Sequence, residues 1–578
     1  MSVQGLVSWR GDPVDKTKHG GVKATLFLHS LVWLSNMANI ANMLNLVVYL
    51  RGTLHMGVAN ASTTVTNFIG AISMFSLVGA FISDSYIRRF NTILIFGPLE
   101  ILGYGLLALQ AHLPSLHPPP CNIDQIPNNC KEVDGSNAAL FFTSLYIITF
   151  GDGCLRASIA SLGGDQFDSD DPKEVHAKIS YFNWYTFSVS LGAFTGLIVV
   201  VWIENNRGWD VGFAVCALLV FAGLAIVAFG LPFYRNRIPS GSPLTRILQV
   251  FVIACKKRKL PFPESSKEEP HQHADSDGNS EEGLSRTKGL KFLDKASIEN
   301  GEKGAWSFCN TNQIEETKIL IRLLPIFISS VFGYLPFYLI LTLSVQQGAT
   351  MDNRLGKIKI SPATLNIIPV IFQMSILVIY DRLIVPFLRK LTGYKGGITH
   401  LQRIGVGFAF AALAAFVAAL VEMKRKKLAE EHGLMDVGTG VPMSVFWLVI
   451  QFFLVGIIDV TSFVGLLEFF YSEASVGTKS TGTSIFYCMH GLTAWLGSFL
   501  IALVNKVTRD GNGKKGWMEG ANLNKSHLDR FYWLLFVIGL ISFLNYTFWA
   551  NRYVYRNDPR IVASNRKKSL EGEDSGAI

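Results

Sequence analysis

The sequence predicts an all-α polytopic membrane protein with twelve transmembrane helices in two six-span halves. Three observations support this fold class: 49% of the 578 residues are hydrophobic, only 16% are charged, and the apolar residues are gathered into long blocks. A block of about 20 mostly apolar residues crosses a bilayer as a helix, because lipid forces every backbone polar group to find its partner within the segment. The blocks therefore indicate membrane spans rather than soluble domains.

The twelve blocks lie between charged or Gly/Pro-rich breaks. Their approximate limits are 24–50, 62–86, 91–113, 137–162, 178–203 and 209–234, then 316–346, 361–385, 400–423, 442–471, 480–506 and 529–552. The polar segment between the two sets is typical of a solvated linker, with one short helix around residues 291–298. The predicted organisation is an N-terminal tail 1–23, a first half 24–234, a linker 235–315, a second half 316–552 and a C-terminal tail 553–578.

The distribution of basic residues predicts that both tails and the linker are cytoplasmic. An even number of spans puts both termini on one side, where the N-terminal tail, the loop after the second span and the linker run 256–259 are all basic. The glycosylation sequons at Asn60 and Asn524 then fall outside. The basic run 424–427 also falls outside, which is an exception to the charge rule.

Several classes of function are disfavoured by what the sequence lacks. The net charge of +9 is spread over loops and tails, which does not suggest a nucleic-acid partner. The seven cysteines show no metal-site spacing, and Cys121 and Cys130 share a predicted outside loop as a candidate disulfide. No nucleophile and base pair or nucleotide-binding glycine loop appears, so neither an enzyme nor a cofactor is expected.

The fourth span carries the first functional candidate. Asp152 and Arg156 are four residues apart inside an apolar block, so on a helix they share one face. An ionisable side chain at membrane depth is costly unless it faces a partner or a water-filled cavity. The pair therefore indicates a polar path or binding site inside the protein.

Six motifs occur in order along the chain and resemble those of a known family. They are GDGCLRASIASLGGDQFD at 151–168, FNWY at 182–185, GSPLTRI at 241–247, FLDKA at 292–296, EETKILIRLLPI at 315–326 and GLLEFFYSEAS at 465–475. Together they resemble the plant nitrate and peptide transporter family, a branch of the proton-dependent oligopeptide transporters within the major facilitator superfamily. The resemblance implies two six-helix bundles with alternating access to a central site.

The resemblance also implies two charged site residues. The family's central cation, normally a lysine on the fourth span, falls on Arg156, and its acid on the tenth span falls on Glu468. Because arginine does not lose its proton, Arg156 suits a substrate-anion anchor better than a proton carrier. The alternative is a structural pair with Asp152 or Glu468.

The first span departs from the family pattern. Proton-coupled members usually carry two glutamates and a cation there, whereas this chain has Val32, Ser35 and Asn36 at those positions. Either coupling to protons has moved to other acids, with Asp152 and Glu468 as candidates, or the protein is an uncoupled facilitator. A non-transporting sensor of the same fold is the alternative to a transporter.

Aromatic residues of the seventh and eleventh spans suggest the chemical class of the solute. Tyr334, Phe337, Tyr338 and Trp495 would give an aromatic wall, with Phe337 where nitrate-selective members can carry a histidine. Such a wall beside one cation suits an organic acid such as a plant hormone better than nitrate or a short peptide. The same aromatics could instead fill gaps between helices.

A cytoplasmic motif follows the second span. Gly79, Asp84, Arg88 and Arg89 could latch neighbouring helices, or the charges could simply mark the inside. Thr92 occupies a family position linked to phosphorylation, where a phosphate would sit beside the arginines. The expected protein is thus a secondary transporter for a small anionic or zwitterionic solute, in the plasma membrane by default and in the vacuolar membrane as the alternative.

Overall fold

The computed structural model describes most of the chain. The described residues are 6–15, 18–119, 121, 130–168, 172–237, 243–260, 289–298, 306–355, 358–359, 362–392, 398–437, 440–473, 479–509, 516–520, 522–553 and 555. Inside helices, a few side chains are also outside the description, among them that of Asp84. The predicted C-terminal tail therefore lies almost wholly outside the described residues.

The first half consists of six long helices, whose bounds agree with the six predicted spans to within several residues. They are α1 Gly21–Gly52, α2 Val58–Ser85, α3 Arg89–His112, α4 Gly135–Gly164, α5 Pro172–Asn206 and α6 Trp209–Phe229. The α1 helix packs along α5 and α6, and α3 packs along α4 and α6. Glycines allow the closest approaches: a Cβ added at Gly79 of α2 would lie 2.5 Å from the Cα of Cys154 on α4.

The linker contains more packed structure than the sequence predicted. Its helices are α7 Pro243–Lys256 and α8 Lys291–Asp294, and only the second was expected. Val250, Ile253 and Ala254 of α7 are fully buried against Leu293 and the start of the second half. The apolar side of an amphipathic helix must be covered, so the expectation of a wholly solvated linker was wrong for this part.

The second half is built from shorter helical pieces. They are α9 Thr311–Gly333, α10 Leu335–Ala349, α11 Ile367–Ile379, α12 Val385–Thr392, α13 His400–Glu431, α14 Val449–Ile458, α15 Val464–Glu473, α16 Lys479–Thr508 and α17 Leu528–Arg552. Among the described residues, eleven helices are long and apolar enough to cross a membrane, with α9 and α10 forming one span and α14 and α15 another. The eighth predicted span, 361–385, instead contains the shorter apolar helix α11.

Three of the second-half spans are interrupted. Tyr334 separates α9 from α10, where Pro336 cannot donate a backbone hydrogen bond to the preceding turn. A π-helical turn, Tyr380–Ile384, joins α11 to α12, and another, Asp459–Phe463, joins α14 to α15. Such turns insert an extra residue into the helical ladder and are frequent at functional sites.

Short strands and 3₁₀ turns occupy the helix connections. The strands are β1 Leu6–Val7, β2 Asn236–Arg237, β3 Met351–Asp352, β4 Arg354–Leu355, β5 Ile358–Lys359 and β6 Val441–Ser444. They pair as β1 with β2 and β4 with β5, both antiparallel, and as β3 with β6, parallel. The 3₁₀ turns are Pro114–Leu116, Leu231–Phe233, Lys295–Ser297, Pro362–Asn366, Val445–Leu448 and Leu523–Lys525.

Hydrogen bonds join the two halves at the end that the charge distribution predicts to be outside. The α2 helix packs along α16, and α5 contacts α11. Gln346 near the end of α10 donates to the Ser62 hydroxyl at 2.5 Å, and the hydroxyls of Thr66 and Ser498 are in direct contact. These buried bonds join the two halves at that end.

The basic run 424–427 is largely held by contacts within the protein. The Lys424 ammonium lies 3.5 Å from the centre of the Trp447 ring, and the Lys426 ammonium lies 3.4 Å from Asp529 Oδ1. Arg425 is buried and bonded to Glu422. Asn524 is also fully buried, so the hypothesis that its sequon is a glycosylation site was wrong for this fold. Three of the four charges are therefore poor markers of orientation.

Candidate functional site between the two halves

Asp152 and Arg156 share one face of α4 as their spacing predicted, and they form the ion pair that was left open as the alternative to an anion anchor. Arg156 Nε donates to Asp152 Oδ2 at 2.7 Å. The Asp152 side chain is almost fully buried, whereas 25% of the Arg156 side chain is exposed. Within the part of the chain described, no hydrogen bond reaches either Nη atom of Arg156. The guanidinium is therefore anchored at one edge, and its outer edge remains accessible.

The groups around Arg156 come from both halves of the protein. Tyr185 of α5 and Tyr487 of α16 lie within electrostatic range of its guanidinium, and so does Tyr338 of α10. Tyr185 and Tyr487 are both partly exposed. Arg156 therefore lies at the boundary between the halves, with two partly exposed aromatic rings beside it.

Glu468 was expected at the same site as Arg156, but it pairs with residues of the second half. Its Oε2 accepts a hydrogen bond from Arg403 Nη1 at 3.2 Å and lies 3.5 Å from His400 Nδ1. These partners belong to α13, and 48% of the Glu468 side chain is exposed. Glu468 therefore pairs with cations of its own half and not with Arg156.

The seventh-span aromatics form a closed cluster. Tyr334, Phe337 and Tyr338 are all buried, and the Tyr334 and Phe337 ring centres are 4.7 Å apart. The Tyr334 hydroxyl donates to Asp459 Oδ1 at 3.1 Å, and the Tyr338 hydroxyl is 2.7 Å from His490 Nδ1. In this conformation, the cluster fills the junction of α10, α16 and the π-helical turn Asp459–Phe463 more than it lines an open pocket.

Trp495 does not belong to this aromatic cluster. It is five residues from His490 on α16, packs directly on Gly70 of α2, and is 40% exposed. A separation of five residues turns a helical side chain to a different face. The prediction that Trp495 lines the same wall as Tyr334 was therefore wrong, and it contacts the other half instead.

The motif after the second span contributes mainly to packing within the first half. Arg89 Nη1 pairs with Asp165 Oδ2 at 2.5 Å, and Arg88 Nη1 donates to the Trp9 carbonyl at 3.3 Å. Thr92 has no exposure, and its hydroxyl donates to the Arg88 carbonyl at 3.3 Å. The burial of Thr92 argues against phosphorylation in this conformation, since a kinase needs an accessible hydroxyl.

A second ion pair lies at the same end of the first half. Arg235 donates to both carboxylate oxygens of Glu174, at 2.8 and 3.3 Å, and its own side chain is almost fully buried. Burial acts to raise the pKa of Glu174, but the hydrogen bonds from Arg235 and the Asp168 backbone outweigh it and lower the pKa overall. This pair ties the start of α5 to the chain that follows α6.

Cys121 and Cys130 form a disulfide, with their Cα atoms 5.7 Å apart. Across the described ranges, no group of three or more His, Cys, Asp or Glu side chains is arranged to hold a metal ion.

Sequence reasoning missed a row of buried asparagines on α1. Asn39 donates to Glu100 Oε1 at 2.7 Å, and Asn45 donates to Glu204 Oε2 at 2.6 Å. The repeat of asparagine every three residues, at 36, 39, 42 and 45, was the available signal. Glu100, the partner of Asn39, has Asp152 and Arg156 among its charged neighbours.

Comparison with known proteins identifies the family. The model of the PTR2 family, described as the POT family, matches residues 90–518. The chain is 38% identical over 576 residues to Protein NRT1/PTR FAMILY 4.6 of Arabidopsis thaliana, covering 96% of this chain and 97% of that protein. It is also 38% identical over 556 residues to Protein NRT1/PTR FAMILY 4.5 of the same plant, with coverage of 96% and 97%.

Solved structures share the fold. The in meso crystal structure of the POT family transporter PepTSo has a TM-score of 0.65 at 16% identity, covering 92% of this chain and 98% of that one. The peptide transporter POT in complex with sulfate has a TM-score of 0.61 at 16% identity, covering 93% and 99%. A POT family transporter in complex with 5-aminolevulinic acid has a TM-score of 0.61 at 13% identity, covering 92% and 96%. The chain therefore belongs to the NRT1/PTR branch of the POT family, as an integral multi-pass secondary transporter of the major facilitator fold and not an enzyme.

Proposed function

We propose that this transporter carries a small organic solute with a carboxylate group and holds that carboxylate at Arg156. The proposal rests on the Arg156 guanidinium, which is hydrogen-bonded along one edge and accessible along the other. Its Nε is bonded to Asp152, while a quarter of the side chain remains exposed at the boundary between the halves. Two N–H groups on one edge of a guanidinium match the two oxygens of a carboxylate.

The surroundings of Arg156 favour an organic body on the solute. Tyr185 and Tyr487 offer partly exposed rings beside the cation, and rings of this kind bind apolar groups. Nitrate would use the guanidinium but not the rings, so we rank it second. The solved relatives in complex with sulfate and with 5-aminolevulinic acid lend support, since one ligand is an anion and the other carries a carboxylate.

Alternating access would bring this site to each side of the membrane in turn. In the present conformation the outer end is closed, for example by the bond from Gln346 to Ser62. A proton on Asp152 would weaken its hold on Arg156, which keeps Asp152 as a coupling candidate. Glu468 would act as a gate within the second half through Arg403. We assign the protein to the plasma membrane, and imaging a fluorescent fusion against a vacuolar marker tests this.

The test is uptake into proteoliposomes of three radiolabelled probes: indole-3-acetate, nitrate and dialanine. We expect saturable indole-3-acetate uptake that nitrate inhibits only weakly. Arg156→Gln should lower the apparent affinity about 30-fold or more, because a charged hydrogen-bond pair contributes about 2 kcal/mol. The matched control is Arg207→Gln, which removes an exposed arginine just beyond the end of α5.

Each contrary result has a distinct meaning. Uptake by Arg156→Gln equal to that of the wild type would contradict the anchor. Preference for nitrate over indole-3-acetate would replace the solute class while retaining the anchor. The lack of saturable uptake of all three probes would favour the non-transporting sensor.

A further inference from the structure

The first span lacks the glutamates that proton-coupled members usually carry, but carboxyl groups from other helices contact this span. Asn36, Asn39, Asn42 and Asn45 are all buried along α1. Residues three apart lie close to one another on a helix, so these amides form a polar row inside the first half. Through the bonds of Asn39 and Asn45, the row meets one acid from α3 and one from α5.

Glu100 is the acid of this row that lies near the proposed anion site. It is fully buried, and within the described residues its Oε2 has no hydrogen-bond partner. Its Oε1 accepts from Asn39 Nδ2 at 2.7 Å. A buried carboxylate oxygen without a donor is costly, so Glu100 gains from binding a proton whenever Arg156 does not balance its charge.

Close packing of α3 and α4 places Glu100 beside Asp152. A Cβ added at Gly151 would lie 2.9 Å from the Cβ of Glu100, so the α4 backbone passes directly over this residue. The titratable or charged groups acting on or near Glu100 are Tyr104 on α3, Asp152 and Arg156 on α4, and Cys216 on α6. Its contact on α1, Asn39, does not titrate. Arg156 is the one cation in this set.

We propose that Glu100 binds the proton that is transported together with the solute anion. One guanidinium cannot balance Asp152, an ionised Glu100 and a solute carboxylate at once. When the anion binds Arg156, Glu100 takes a proton from the solvent on that side, and the net charge of the site stays unchanged. When the anion leaves on the other side, Arg156 again balances Glu100, and the proton follows. This inference rests on the proposed anion site at Arg156.

The chain offers a matched control for Glu100. Glu204 is also almost fully buried, accepts a hydrogen bond from an asparagine of α1 at 2.6 Å, and has one oxygen without a partner among the described residues. Arg156 is not among the groups that act on it. Glu204→Gln therefore repeats the chemical change outside the proposed proton site.

The experiment measures indole-3-acetate binding to the purified full chain in detergent, from mildly acidic to mildly alkaline pH. In the wild type, affinity should fall by up to about tenfold per pH unit over part of this range, because proton and anion binding are linked. Glu100→Gln keeps an acceptor for Asn39 and should bind at the acidic-pH affinity throughout. A pH-indicator dye in weak buffer should report about one proton taken up per anion in the wild type and none in Glu100→Gln.

The outcomes separate this inference from the proposed function. A wild-type pH slope retained in Glu100→Gln, or lost equally in Glu204→Gln, would overturn the role of Glu100. If Glu100→Gln does not fold, Glu100→Asp decides: a shifted pH midpoint supports the inference and an unshifted one overturns it. Unchanged anion affinity in Arg156→Gln would instead show that the anion site itself is wrong.

Discussion

Removing the charge of Arg425 should destabilise the second half severely. The Arg425 and Glu422 side chains are both completely buried and share two hydrogen bonds, of 2.8 and 2.6 Å. Arg425 Nη1 also donates to Thr350 at 2.9 Å and to Asn524 at 2.5 Å. The change Arg425→Met keeps most of the side-chain volume but leaves Glu422 as a buried charge whose remaining donor, among the residues that the structure describes, is Gln347 at 2.8 Å.

The expected loss follows from this burial. Breaking a buried pair by removing one partner costs about 3–5 kcal/mol, whereas an exposed pair contributes about 1 kcal/mol or less. A loss of this size should lower the midpoint of thermal unfolding in detergent by about 10 °C. The matched control is Lys427→Met, because Lys427 is 77% exposed and lies 3.9 Å from Glu431.

The reasoning also predicts a partial rescue. Adding Glu422→Gln to Arg425→Met removes the buried charge, and most of the lost stability should return. A fall of under 2 °C in the single variant would refute the argument that the pair is desolvated. A double variant less stable than the single one would show that the hydrogen bonds, and not the charge, dominate.

Three other predictions concern the contact between the halves, the Glu174 ion pair and the disulfide loop. Because the hydroxyls of Thr66 and Ser498 touch, Thr66→Cys with Ser498→Cys should form a disulfide that stops uptake until a reductant is added, while each single variant stays active. The pKa of Glu174 is lowered in the folded protein. Its pair with Arg235 therefore stabilises the fold fully at pH values above the ordinary pKa of a glutamate, and this contribution is lost as the pH falls through the lowered pKa. On acidification, the midpoint of thermal unfolding should therefore fall less in Glu174→Gln than in the wild type. Thiol labelling of unreduced protein should leave Cys121 unmodified, and labelling without reduction would contradict the disulfide.

Local sequence patterns were sufficient to predict the six helices of the first half and the shared face of Asp152 and Arg156. The bond between Asp152 and Arg156 follows from a spacing of four residues on one apolar helix. The bond between Arg403 and Glu468 joins residues 65 positions apart, so no local pattern could indicate it. An aligned acid identifies a position along a helix but not which neighbour it will face.

The aromatic wall illustrates the same limit. Tyr334 and Tyr338 were expected to face the solute, but their hydroxyls find partners in Asp459 and His490. Tyr185 and Tyr487, which stand beside Arg156, come from two halves of the chain. Composition predicts that aromatics gather near a site, whereas only the packing of the helices decides which of them remain accessible.

The interruptions at Tyr334, Tyr380–Ile384 and Asp459–Phe463 make the two halves mechanically unequal. The six helices of the first half are continuous in the described residues, so we expect that half to move as a rigid lever. The broken spans can bend at their irregular turns, where the backbone ladder is weakest. Opening and closing would then combine flexing of the second half with movement of the first half as one body, which holds the proposed sites for the solute anion and the proton.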